Sequence, residues 1–226
     1  MPRVAEVSGD QALSVHEALY TLRAMRRLRP DPVPEHELRY LIDAATQAPT
    51  GSNAQTWAFV VITETETRRR IAKIYREIGQ ALVRPTAEGA HDTSEETRRI
   101  YRRAMILVEE LADVPALILV CCQGHPPASA AESSAYYGSI YPAVQNLLLA
   151  ARSRGLGTTL TTLHKAQEER IKQILGIPDD VETIALIPVG YPRGRWGRPR
   201  RRPSAEVTHW ERWGQPRPAS SGPSNP

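Results

Sequence analysis

The stretch Val114–Cys122 (VPALILVCC) limits the fold more than any other part of this chain. Its residues are apolar at odd and even positions alike. A strand with one wet face alternates apolar with polar residues, so this one reads as central in a sheet. The longest apolar runs, this one included, fall well short of the ~20 residues a membrane helix needs. Cys121 and Cys122, the only two cysteines, are neighbours in that strand. Adjacent strand residues point to opposite faces, so the two are poor partners for each other. No disulfide framework or metal cluster can be built from them.

The rest of the chain supplies long helices between few strands. Ser14 followed by Glu17 is a capping box, with Val15, Leu19, Leu22 and Met25 at helical spacing and Pro30, Pro32 and Pro34 to end the helix. Leu38, Leu41, Ile42 and Ala45 form the buried stripe of a second helix, and a strand follows over Ala58–Thr63. Ile71, Ile74, Tyr75, Ile78 and Leu82 mark another helix. A charged helix over Ser94–Leu111 offers Ile100, Ile106 and Leu107 to the core. Beyond the central strand come a helix over Ser134–Ser153 with Gly155 at its end, a threonine-rich strand over Leu156–Leu163, a short helix over Gln167–Leu175 and a last strand over Thr183–Val189. There is no internal repeat and no regular βαβ alternation, which predicts an α+β fold. With 41% hydrophobic residues in 226, one domain over residues 1–214 is expected, followed by a disordered Pro/Ser/Gly-rich tail at 215–226. The N-terminus shows no apolar secretory segment, so the expected location is cytoplasmic.

Four segments have the makings of a site. Arg23, Arg26 and Arg27 stand at i, i+3 and i+4, so a helix would place three cations on one face, where an anion could compensate them. APTGSNAQTW (48–57) stacks small polar residues between a helix and a strand. Its small side chains permit close backbone approach to a planar ligand, and Asn53 and Gln55 offer donors and acceptors. GLGTTLTTLH (155–164) could present backbone amides to a ring edge, or be no more than an edge strand. Six arginines crowd YPRGRWGRPRRRP (191–203) in a chain of net charge +4, which suits a solvated tail, a nucleic-acid contact or a phosphorylated small molecule. There is no G-x-G-x-x-G after a strand, no Walker A loop and no G-x-S-x-G elbow, and the six histidines show no metal spacing.

Taken in order, these pieces resemble the FMN-dependent nitroreductase family. The resemblance runs through RAMRRLRPDPVPEHELRYLIDAATQAPTGSNAQTWAFVVI, DVPALILVCC, AVQNLLLAARSRGLGTTLTT, VGYP, RRP and the Val207–Trp210 ending. It implies an α+β sandwich, a mostly antiparallel sheet flanked by helices, in an intertwined homodimer with FMN at the interface. It implies phosphate contacts from Arg23, Arg26, Arg200 and Arg201, and a loop of Pro49, Thr50, Gly51, Ser52 and Asn53 reaching the flavin from the partner subunit, with Gln55 in support. Ser139 and Pro142 would line the ring, and the backbone of Thr162, Leu163 and His164 would face it. His164 is the one candidate for a catalytic side chain. NADH or NADPH would be the donor and a nitroaromatic, quinone or related conjugated molecule the acceptor. The alternatives are a specialised flavin reaction of the same fold (dehalogenation or flavin destruction) and a basic nucleic-acid-binding module. No membrane or metal partner is expected. The sequence departs from the family pattern at Ala24, where Ser is usual, at Thr56, where Pro is usual, and at His164, where several members carry an acid.

Overall fold

A computed structural model describes residues 13–216. The strands are β1 (Trp57–Ile62), β2 (Ala116–Gln123), β3 (Gly157–Thr158) and β4 (Val181–Gly190). They form one antiparallel sheet in the order β1-β2-β4-β3. The helices are α1 (Val15–Thr21), α2 (Glu35–Ala45), α3 (Thr65–Leu82), α4 (Arg84–Glu88), α5 (Glu95–Glu110), α6 (Ala130–Ser153) and α7 (Glu168–Leu175). This is the α+β sandwich the sequence predicts.

Strand β2 is central, and the two faces of the sheet carry separate cores. Ile118, Val120 and Cys122 pack with Leu38, Leu41, Val144 and Leu147 from α2 and α6. Leu117, Leu119 and Cys121 pack with Ile71, Ile74, Leu107 and Ile171 from α3, α5 and α7. Each fully buried leucine or isoleucine here contributes about 1.5–3 kcal/mol by leaving water, so β2 anchors both layers. The adjacent cysteines do lie in different cores. Thr183 also faces the α7 side of the sheet, where its hydroxyl meets Glu168. A bulge opposite Val120 and Cys121 leaves Ile184 unpaired and reverses the facing of β4. Because of it, Thr183 and Leu186, three residues apart, both look toward α3 and α7.

The first helix is shorter than its pattern predicts. Ser14 caps it as expected, its hydroxyl accepting from the Glu17 N–H at 3.1 Å, but the helix stops at Thr21. Of its apolar positions only Ala18 is buried, while Val15 is 75% and Leu19 51% exposed. The backbone after Leu22 turns extended because the sheet recruits it. Met25 N–H donates to Thr158 O (2.8 Å), Arg29 N–H to Tyr191 O (2.8 Å) and Arg193 N–H to Arg27 O (2.9 Å). Arg23, Arg26 and Arg27 therefore do not share a helical face.

Three smaller expectations also change. Leu82 and Ile100 are exposed, since the helices that carry them turn those positions to solvent. The expected strand over Leu156–Leu163 shrinks to Gly157–Thr158 plus one bridge between Thr161 and Leu186. All but the first two residues of the expected disordered tail lie outside the described residues.

Helices α3 and α5 cross closely at Gly79, where an added Cβ would stand 2.5 Å from both γ-carbons of Val108. We expect Gly79→Ala to lower stability in urea unfolding by about 1–3 kcal/mol, despite alanine's better helix propensity. The double variant with Val108→Ala should recover part of that loss, which a propensity effect alone would not give.

Candidate functional site

A pair of glycines brings the arginine segment onto the threonine segment. Gly157 and Gly190 face each other across β3 and β4. A Cβ at Gly157 would lie 2.8 Å from Leu28 Cδ2 and 3.0 Å from Met25 Cβ, and one at Gly190 would lie 3.3 Å from Leu28 Cβ. The missing side chains make the seat that holds residues 25–28. Arg26 then lines a cavity of about 300 Å³ together with Tyr75, Val83, Leu107, Thr161 and Leu163.

The electrostatics of that cavity favour an anion. The Arg26 guanidinium is half-buried, and burial lowers its pKa; Tyr75 opposes this shift and Arg103 adds to it. Among the described residues no carboxylate forms an ion pair with Arg23, Arg26 or Arg27, while Arg29, two positions on, pairs with Asp31. A desolvated cation without a counter-charge is costly, and a phosphate would supply one through charge-assisted bonds. Arg23 reaches the C-terminal arm, where its Nη1 lies 3.8 Å from a Cβ built on Gly197. Arg200 and Arg201 follow within about 10–14 Å of extended chain, exposed and without a carboxylate partner among the described residues. The arm is pinned by the buried Arg152, whose guanidinium sits 4.2 Å from the Trp196 ring centroid and donates to Thr21 Oγ1 at 2.8 Å. Nothing in the sequence singled out Arg152, and Tyr75 was legible only as part of a helical apolar stripe.

The Thr162–His164 turn is clamped from both ends. Tyr75 and Thr161 share a hydroxyl–hydroxyl bond of 2.9 Å, and Leu163 N–H donates to Thr161 Oγ1 at 3.3 Å. His164 is fully buried with Nε2 at 3.1 Å from Thr183 Oγ1, and burial lowers its pKa to about 4. This corrects the expectation of a catalytic His164: its imidazole faces β4 and meets no open surface. Cys121 is no nucleophile either, since burial pushes its thiol up to about 12.

The small-residue loop lies on the other side of the sheet. Ser52, Asn53 and Gln55 all adopt positive φ (52°, 53° and 49°), a conformation that costs a non-glycine residue about 1–2 kcal/mol. Internal bonds hold it: Gly51 N–H to Ser139 Oγ (3.1 Å), Gln55 N–H to Thr50 Oγ1 (3.1 Å) and Gln55 Nε2 to Asn53 Oδ1 (3.0 Å). Such strain, paid on an exposed loop, is characteristic of binding sites. Pro49 leads into the loop, and Pro142, one helical turn beyond Ser139, is half-buried within α6. Thr56 has a structural task. Its carbonyl accepts from Gln123 N–H (2.8 Å), and its hydroxyl accepts from Cys122 Sγ (3.3 Å), extending the β1–β2 pairing by one residue. Within one chain, Arg26, Thr162 and Leu163 thus come together beside α3, and Gly51 joins Ser139 beside α6.

The nitroreductase family model matches residues 21–191. The chain belongs to the nitroreductase family. Among curated relatives it is 28% identical to zebrafish iodotyrosine deiodinase over 83% of this chain and 64% of that protein's length. It is also 28% identical to an NADH dehydrogenase of Thermus thermophilus over 88% of this chain and 96% of that one. Solved structures with this fold include iodotyrosine deiodinase bound to FMN and 3-iodo-L-tyrosine (TM-score 0.68, 21% identity, 84% of this chain and 96% of that one). A BluB-like flavoprotein from Clostridium difficile is another (TM-score 0.67, 20% identity, 88% and 100%).

The buried His164 sets a pH dependence. Its folded pKa lies below its ordinary value of 6.5, so between about pH 6.5 and 4 the unfolded chain binds a proton that the folded chain refuses. Its contribution to stability is full above that window and is lost as pH falls through it, about 3 kcal/mol in all. Urea unfolding at pH 7.5 and 4.5 should show this loss in the wild type and a smaller one in His164→Asn.

Proposed function

We propose that this protein is an FMN-dependent oxidoreductase acting as a homodimer. The observation that carries the reading is the half-buried Arg26, without a carboxylate partner among the described residues, beside a cavity walled by Thr159–Leu163. Arg23 and Arg26, with Arg200 and Arg201 of the arm, would hold the FMN phosphate. The backbone of Thr162 and Leu163 would face the ring, and residues 49–53 with Ser139 would approach from a second copy. The placement of that loop on the far side of its own sheet supports a site completed between two chains. So does the exposed apolar stripe of Val15 and Leu19 on α1.

Held there, FMN would supply the redox chemistry between a NADH or NADPH donor and a conjugated acceptor. The chain's own part is to hold and orient. The arginines anchor the cofactor at its phosphate, away from the reacting ring. The clamped 161–165 turn keeps its amide donors preorganised, so little reorganisation is needed as charge develops. His164 is not placed to move a proton there, because its ring faces the interior. The arm's Arg193 is paired with Glu110 and Arg198 lies over Tyr20, which leaves less free charge for a nucleic-acid surface.

A second reading has its own support: several relatives carry the name iodotyrosine deiodinase. On that reading the acceptor is a halogenated phenol rather than a nitroaromatic or quinone. Steady-state rates with nitrofurazone, menadione and a halogenated phenol separate the two.

Purified protein incubated with FMN and gel-filtered should emerge yellow, at the mass of a dimer; a colourless protein ends the flavin reading. Arg26→Ala should weaken FMN binding about 10–100-fold, the loss expected for charge-assisted bonds, as measured by flavin fluorescence titration.

A further inference from the structure

Behind the Thr162–Leu163 turn runs a chain of polar side chains that no step of the proposed reaction uses. Its hydrogen positions follow from its chemistry. Glu168 is an ionised acceptor: burial pushes its pKa up, but bonds from Lys165 and Thr183 outweigh this and lower it overall. Glu168 Oε1 accepts from both the hydroxyl (2.6 Å) and the backbone N–H (2.9 Å) of Thr183. The Thr183 proton being given to Glu168, its oxygen can only accept from His164, so Nε2 carries the imidazole proton. Lys165 closes the chain, donating from Nζ to Glu168 Oε2 and to Glu182 Oε1.

Two features set this chain apart from ordinary core filling. His164 Nδ1 is buried without any hydrogen-bond partner. An orphaned buried acceptor costs about 1–3 kcal/mol, which an apolar residue of similar volume would avoid. The second is the β-bulge at Ile184. Without it, the strict alternation of β4 would set Thr183 and Leu186 on opposite faces, and a chain that keeps Leu186 in the α3 core would turn the Thr183 hydroxyl away from His164. The bulge and the costly histidine serve the same contact.

We propose that His164, Thr183 and Glu168 are positioning residues that fix the turn whose backbone faces the cofactor. This rests on the flavin reading given above. The relay holds the turn from the β4 side, while the Tyr75–Thr161 bond holds it from the α3 side. With both ends fixed, the Thr162 amide keeps one orientation toward the ring, the Leu163 N–H being held by Thr161 Oγ1. Without the relay the turn pivots about Thr161, and the ring loses a preorganised partner in its reduced, more electron-rich state more than in its oxidised state. The relay thereby biases the flavin potential without touching the flavin.

The test uses Thr183→Val, which removes the hydroxyl and keeps the shape, and Thr183→Ser, which restores it. In the full-length protein without added flavin, amide exchange at Leu163, His164 and Lys165 should be about fivefold or more faster in the valine variant and near wild type in the serine variant. In the FMN-loaded protein, the midpoint potential should fall in the valine variant and return with serine. Should the valine variant fail to fold, Glu168→Ala removes the acceptor at the other end of the chain and carries both measurements. Unchanged exchange in a folded variant overturns the relay. Faster exchange with an unchanged potential overturns its influence on the cofactor. A wild-type protein that takes up no flavin sinks the flavin reading instead, and the exchange experiment still reports on the clamp.

Discussion

The close seating of Leu28 on the paired glycines Gly157 and Gly190 is the constraint on which the rest depends. The sheet is finished at that edge by backbone from residues 25–29, and the seat exists only where no Cβ intervenes. This seating ends α1 early, draws the arginine segment into extended form and sets Arg26 beside the threonines after β3. The C-terminal arm passes the same spot, with Leu28 bridged to Pro192. Three segments distant in sequence thus converge because two glycines permit contact. The GLG motif earns its place through packing, whatever the adjacent turn also does for a ligand.

The second organising feature is the separation of the two cores by β2. Its alternate residues serve α2 and α6 on one side and α3, α5 and α7 on the other. The strained 49–55 loop belongs to the α6 side, braced by Ser139. The Arg26 cavity belongs to the α3 side. Thr162 stands between them, lining the Arg26 cavity and also a second one with Tyr137 and Tyr141 of α6, and on the proposed reading a second copy brings the 49–53 loop to the first.

Much of this was legible in the sequence, and the misses have identifiable causes. Strand β2, helices α2 and α6 and the opposite facing of Cys121 and Cys122 follow from local pattern alone. The early end of α1 does not, because Ser14, Glu17, Val15 and Leu19 form a genuine helical signal through Leu22. What overrides it is the hydrogen bonding of Met25 and Arg29 to Thr158 and Tyr191, residues more than 130 positions away. Local spacing carries no trace of that competition. His164 was misread for a related reason. Its place in the threonine-rich segment is visible, but the side it faces depends on a bulge in a strand twenty residues on. Thr56, a departure from the family pattern, becomes clear only once Cys122 is seen across from it.

The basic character of the chain resolves in the same way once each arginine is followed to its partner. Arg152 is spent on Trp196, Thr21 and Glu17, Arg154 on Glu37, Arg193 on Glu110, and Arg198 lies over Tyr20. These charges stabilise the arm and the helices it crosses. Arg23, Arg26, Arg200 and Arg201 form no ion pair with a carboxylate among the described residues, although Glu and Asp are almost as numerous in the chain as Arg and Lys. Arg26 makes the point most sharply, since it has given up part of its hydration to line a cavity. A solvated tail would not desolvate a cation, and a purely structural one would pair it. The remaining arrangement is a cation held ready for an anion that no other described residue supplies.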